Sequence, residues 1–313
     1  MRCPHCHTDN YEGAKFCLSC GCPLPRESRA KKFFMAALHA CLYVALFMGI
    51  QLLVSFFYSF FLSFSMMAPH LLSGSDLGDD AVMAITEDIV RIVNNNLHTM
   101  MLLSGLITIL TLVISFRIRK KNPVEEMHIR KIPLLRAPWY VVFGVALQPV
   151  TNLLLNFLPT SLLMDFEEQN ALADAAGPLA MEILNVVILT PIVEELIFRG
   201  LAFTRLRRGM STALAVLISS ALFGAVHGHL VSFLYASVLG VALAWLMQKN
   251  NDSVIAPILC HAGFNGGNYL LQALLGDTDN PLLFFSVTLA SAAILVLSGF
   301  MILRPIPAGD TRE

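Results

Sequence analysis

The chain has 313 residues, of which 56% are hydrophobic and only 14% charged, with a mean hydropathy of +0.67 and a formal net charge of -1. A soluble domain carries about a quarter charged residues, which excludes an ordinary soluble globular protein. The near-neutral balance gives no support for nucleic acid or an acidic ligand as partner.

Seven cysteines are too unevenly placed for a disulfide scaffold. Cys3, Cys6, Cys17 and Cys20 instead form two C-x-x-C pairs near the N-terminus. Four thiolates so spaced can close tetrahedrally around zinc, and the pattern resembles the minimal zinc ribbons at the N-termini of many bacterial membrane proteins. The expectation is a structural zinc ribbon over residues 1–25, with metal supplying on the order of 10 kcal/mol of its folding free energy. The alternative is a redox-active or disordered tail, with His5, His7 and Cys22 as substitute ligands or spectators.

A basic linker follows at 26–32. Residues 33–72 are then an apolar run too long for one ordinary span and without the small-residue cleavage site of a signal peptide, as expected of a retained anchor. Further apolar segments fall near 98–116, 138–158, 179–198, 212–228, 230–247, 253–273 and 282–303. The fold class is therefore an all-α polytopic membrane protein with about eight transmembrane helices and a small N-terminal zinc ribbon. The boundary between the segments at 212 and 230 is the least defined, and the loops at 73–97 and 159–178 are long enough for short external helices.

Arg29, Lys31 and Lys32, then Arg117, Arg119, Lys120 and Lys121, then Arg205, Arg207 and Arg208, then Lys249 and Arg304 fall on one side of this alternation. Acidic residues fall opposite: Asp76, Asp79, Asp80, Glu87 and Asp88, then Asp165, Glu167, Glu168 and Asp174, then Asp277 and Asp279. Basic residues near span ends are retained in the cytoplasm, so both termini are expected there, with the ribbon thiols in a reducing compartment. The three arginines at 205–208 read as topological. Cys41 and Cys260 read as small buried hydrophobes, and His39, His70, His98 and His128 as isolated residues.

Ionisable groups at membrane depth are costly unless they face a partner or a cavity. Glu194, Glu195 and Arg199 form E-E-x-x-x-R in an apolar segment, Phe223 and His227 form F-x-x-x-H, and His261 and Asn265 form H-x-x-x-N. Glu195 and Arg199 at i, i+4 meet on one helix face, while Glu194 points about 100° away and stays free for another partner. At 1.5 Å per residue, Glu194 lies roughly 21 Å from Arg208, His227 roughly 24 Å from Ser211, and Asn265 roughly 20 Å from Asp252. A common depth, and so a shared polar site, is compatible with these figures. Gly224 and Gly228 flank His227, and Gly263 and Gly267 flank Asn265, which suggests where the site-bearing helices touch.

In order and together, the three motifs resemble the CPBP intramembrane proteases, a family that includes the CAAX prenyl endopeptidases of the Rce type and bacterial abortive-infection proteins. The resemblance covers roughly residues 135–275. It implies a protease core there, preceded by N-terminal helices and loops at 33–134 and followed by a final helix and tail at 276–313. It also implies hydrolysis of peptide bonds in membrane-associated, CAAX-like or otherwise lipidated substrates. Glu194 would be the general base, His227 would hold and activate water, His261 and Asn265 would donate to the oxyanion, and Glu195 and Arg199 would hold the scaffold.

Three alternatives stand beside this reading. His227, His261 and a glutamate could ligate a catalytic zinc, although no H-E-x-x-H sequence is present. The chain could instead be a noncatalytic membrane scaffold recruiting a protein partner through the ribbon, or a proton-coupled transporter. His229 is expected at the membrane boundary. The expected setting is a bacterial plasma membrane, with the lipid bilayer and a peptide or protein substrate as partners.

Overall fold

A backbone in hydrocarbon has no water to bond, so an apolar chain must satisfy its amides along its own length. The computed structural model describes residues 2–11, 14–24, 28–73, 78–166, 178–276 and 280–305. Among these, the only strand-like pairings are two isolated bridges, Arg2 with Asp9 and Phe16 with Pro23. The rest of the architecture is helical. The acidic positions Asp76, Glu167, Glu168, Asp174, Asp277 and Asp279, and Arg26 of the linker, lie outside the described residues.

The 33–72 run forms one helix, α1 (Arg29–Ser73), with Pro69 near its end. At 1.5 Å per residue it is about 68 Å long, more than twice a bilayer core. An amphipathic helix, α2 (Asp79–Asn95), opens on Asp79 and Asp80 and buries none of its residues. It is followed by α3 (Leu97–Ile118) and the short α4 (Pro123–Glu126). After α5 (Ala137–Leu155) comes a long helix, α6, over residues 179–206. Two segments of α6, Leu184–Leu189 and Leu196–Phe203, are wound in wide π turns around the ordinary turn Thr190–Glu195. The chain finishes with α7 (Thr212–Ala225), α8 (Leu230–Lys249), α9 (Ile255–Leu275) and α10 (Pro281–Leu303).

Among the described residues, five stretches are long and apolar enough to cross a membrane, at 29–69, 97–118, 134–155, 230–249 and 281–303, and α7 is a shorter apolar helix. The uncertain boundary between the segments at 212 and 230 is resolved as a tight hairpin, with α7 ending at Ala225 and Gly228 in the left-handed region at φ 76°.

The core lies along α6, where Leu196 through Leu206 are buried without a break. Contacts among helices here depend on missing side chains. A Cβ on Gly144 of α5 would sit 1.9 Å from the Cys260 carbonyl oxygen and 2.7 Å from the Phe264 nitrogen of α9. One on Gly263 would meet the Val141 carbonyl at 2.3 Å, and one on Gly224 the Phe233 carbonyl of α8 at 2.5 Å. The motif glycines therefore join α9 to α5 and α7 to α8; they do not join one site-bearing helix to another, and Gly228 lies beyond the end of α7 with open space around it. Another expectation is corrected at Cys41, which is exposed, because α1 presents most of its surface outward; Cys260 is buried.

The basic residues at 205–208 have specific partners. Arg205 pairs with Glu126, which also holds Lys121 at 2.9 Å, and Arg207 pairs with Asp252 at 2.6 Å. The α3–α5 and α8–α9 loops are further joined by Val254 N–H to the His128 carbonyl at 3.0 Å and by Arg130 to the Asn251 carbonyl at 2.8 Å. These contacts tie together the end of the bundle where α6 finishes, a structural role beyond topology.

Gly144→Ala should destabilise the bundle by about 1–3 kcal/mol through overpacking, seen as a lower thermal midpoint in detergent, whereas Gly49→Ala, with open space around it, should not. Burial works to raise the Glu126 carboxyl, but the Lys121 hydrogen bond and the charges of Arg205 and Lys121 outweigh it and hold it below its ordinary 4.5. The clamp is therefore fully effective above that value and is lost as pH falls through the lowered one. Glu126→Gln should cost about 1 kcal/mol at neutral pH, and the difference from wild type should close as unfolding is measured at successively lower pH.

Candidate active site and ribbon metal centre

Glu194 and Glu195 occupy the ordinary turn of α6 between its two wide ones, and both are buried, at 8% and 0% exposure. Their environments differ. Glu195 Oε1 accepts from Arg199 Nη1 at 2.8 Å and from His261 Nδ1 at 3.0 Å. Glu194 Oε2 is 3.8 Å from His261 Nε2, beyond hydrogen-bond length, and Glu194 lines a crevice. Because a carboxylate paired with arginine accepts only, Nδ1 of His261 carries the proton. Its Nε2 then points toward Glu194.

Phe223 is the hub of the site. The Arg199 guanidinium lies 4.2 Å from its ring centroid. His227 and His261 meet the same ring edge-on, at 5.0 and 5.6 Å. His227 follows the last turn of α7, and its Nδ1 donates to the Phe223 carbonyl at 2.8 Å, leaving Nε2 as its free atom. Tyr235 of α8 approaches His227 at 6.3 Å between ring centroids. His229 caps α8, where its Nδ1 accepts from Val231 N–H at 3.2 Å.

Five of the six polar residues singled out in the sequence thus converge. The sixth, Asn265, lies on the same face of α9 one turn beyond His261, but its amide donates to the Val186 carbonyl at 2.8 Å. That carbonyl belongs to the first wide turn of α6, so Asn265 braces α6. One further turn along, Tyr269 donates to Glu182 at 2.6 Å. Glu182 and Tyr269 belong to none of the three sequence motifs, although His261, Asn265 and Tyr269 share one i, i+4, i+8 stripe. Gln51, Asn185 and Thr190 were also passed over, and these line the crevice with Glu194, together with Phe47, Met101, Gly105, Leu189 and Val193.

The donor sets for metal differ sharply between the two ends of the protein. Among the described residues, His227, His261 and Glu194 do not form a group whose ligand atoms all lie within 4.8 Å of one another, whereas Cys3, Cys6, Cys17 and Cys20 do. The Cys3–Cys20 and Cys6–Cys17 sulfur pairs are 3.6 and 3.4 Å apart, near the roughly 3.8 Å edge of a tetrahedron with 2.3 Å zinc–sulfur bonds. The two knuckles repeat one geometry. His7 N–H bonds the Cys3 carbonyl and Gly21 N–H the Cys17 carbonyl, both at 2.9 Å, with His7 and Gly21 each left-handed. Thr8 draws the Cys6 thiol down to about 5 through its side chain and backbone, while the Cys20 thiol, lowered by the Cys22 backbone, is pushed up overall by its contacts with Cys6, Cys3 and Cys17 and by burial. His5, Cys20 and Cys22 form a second group of ligand atoms sharing Cys20.

Comparison with known proteins finds a match at each of these two regions. Residues 2–24 match the zinc-ribbon domain family, and residues 176–267 match the family described as type II CAAX prenyl endopeptidase Rce1-like. The chain is 32% identical over 106 residues to the "Putative membrane peptidase YdiL" of Bacillus subtilis (strain 168), an alignment spanning 34% of this chain and 43% of that protein. No solved structure matches. The chain thus couples a zinc-ribbon domain to a helical membrane segment similar to the Rce1-like type II CAAX prenyl endopeptidases.

Proposed function

We propose that this protein is an intramembrane endopeptidase in which Glu194 is the general base for water attack on a peptide bond. The observation that carries the reading is the unequal engagement of two adjacent buried carboxylates. Glu195 is fixed by Arg199 and His261, while Glu194 is left beside a crevice with only a 3.8 Å contact.

In the proposed reaction Glu194 takes a proton from water and the hydroxide adds to the scissile carbonyl. The imidazolium form of His261 donates from Nε2 to the resulting oxyanion, and His227 Nε2 orients the water. Collapse breaks the C–N bond and Glu194 passes its proton to the departing amine, so one water yields a carboxyl and an amine. Glu195 and Arg199 act by positioning His261, and Asn265 by bracing α6. We read all eight apolar helices as spans, with the core at 135–275 because α5 interlocks with α9, and both termini cytoplasmic in a bacterial plasma membrane. The Rce1-like match supports membrane-associated substrates, CAAX-like lipidated ends among them, and the zinc-ribbon match supports a structural zinc held by Cys3, Cys6, Cys17 and Cys20, on a module suited to recruiting a protein partner.

Membranes from cells expressing wild type or Glu194→Gln at matched levels should differ in new protein termini when analysed by mass spectrometry. Purified Glu194→Gln should lose about 100- to 10,000-fold in rate while remaining folded. Equal termini from both proteins would turn the assignment to a scaffold acting through the ribbon. Glu195→Ala strands the Arg199 charge and should cost about 3–5 kcal/mol of stability as well as activity.

Metal content provides a separate check. The intact chain should bind one zinc, lost in Cys17→Ser/Cys20→Ser, and chelation should expose residues 2–24 to protease. Stoichiometric zinc surviving in that double variant would instead favour a zinc-dependent form of the same hydrolysis.

A further inference from the structure

Asn185 sits in the first wide turn of α6 at 1% exposure, yet neither its Nδ2 nor its Oδ1 has a hydrogen-bond partner. An unmet buried carboxamide costs several kcal/mol, and the sequence could have placed an apolar residue there at no such cost. Asn185 lines the same crevice as Glu194, with Gln51 of α1 and Thr190 as its other polar members. Gln51 is itself out of place, a carboxamide within an apolar span whose neighbours Leu52 and Leu53 are exposed. The fold thus brings two carboxamides from separate helices to one crevice that leads to the proposed base. Asn265 fixes the turn that carries Asn185 by bonding the adjacent Val186 carbonyl.

We propose that Asn185 and Gln51 are a docking site for the backbone of the unwound substrate, an inference that rests on the proteolytic reading above. A peptide bond inside a helix is inaccessible to attack, so a membrane-embedded substrate must open locally, and each freed N–H and C=O then loses its partner in a medium without water. A carboxamide offers one acceptor and one donor face, matching the N–H and C=O of an extended residue. Asn185 precedes Glu194 by nine positions, roughly 13 Å along the helix, which an extended chain covers in about four residues. Docking is therefore expected about four residues from the scissile bond. α1 forms one wall of the crevice through Phe47 and Gln51.

The test uses the peptide spanning a Glu194-dependent cleavage site found by terminus mapping, made with each backbone N–H methylated in turn and assayed in proteoliposomes. With wild type, methylation about four residues from the cleaved bond should raise KM about tenfold, the loss of one buried hydrogen bond, with kcat little changed. Asn185→Leu or Gln51→Leu should raise KM for the unmodified peptide and abolish the further effect of methylation at that one position. Gln51→Leu, on the outer helix, serves if Asn185→Leu does not fold. Penalties that simply add at every position would overturn the docking site and leave the protease standing. Absence of any Glu194-dependent terminus would overturn both.

Discussion

A guanidinium and a carboxylate sealed from water, Arg199 and Glu195, form the interaction on which the rest of the site depends. Both are fully buried, and removing two charges from water is favourable only with close geometry and further partners. The 2.8 Å contact between them, the His261 ring on the same carboxylate oxygen and the Phe223 face against the guanidinium supply part of that compensation, while Glu195 Oε2 and Arg199 Nε and Nη2 have no hydrogen-bond partner among the described residues. Each also orients something the proposed chemistry needs. His261 is held with Nε2 toward Glu194, and Phe223 presents its carbonyl to His227. The pair's value is organisational: it fixes two imidazoles and leaves one carboxylate unengaged.

Helices that pack within lipid must approach one another without a hydrophobic drive between them. Glycines at α5–α9 and α7–α8 meet backbone carbonyls directly, so the helix axes lie close and few rotamers remain to blur their register. The wide turns of α6 add a second device. A π turn shifts the phase of every residue after it, and here two of them bracket the ordinary turn bearing both glutamates. Asn265 and Tyr269 brace the first half of α6 from α9, while His261 engages the middle. The three residues form one polar stripe with three different duties.

The two ends of the chain solve the same problem by different physics. The membrane body has ample apolar surface and closes around ion pairs. The ribbon has almost none: among its described residues Cys3, Ala14, Cys17 and Leu24 are the buried apolar ones, so its fold rests on the sulfur cluster and on two matched turns. Proposing zinc there follows from the scarcity of any other source of folding free energy in so short a segment.

Composition and motif spacing by themselves determined the membrane class, the helical architecture, the ribbon's four cysteines and the Glu195–Arg199 pairing. These depend on local rules: the 3.6-residue period, the cost of burying charge, and the reach of paired thiolates. The division between Glu194 and Glu195 was legible in the same way, as a 100° separation on one helix. Tertiary structure alone decided which helices touch, and so corrected the glycine reading, left Cys41 exposed on an outward helix face, and gave the arginines near 205 their partners. It also turned Asn265 toward a carbonyl of α6 and set Asn185 and Gln51 at one crevice. No sequence period encodes these results, because a wide turn resets the phase of a helix and contact between distant segments is fixed only when all of them pack.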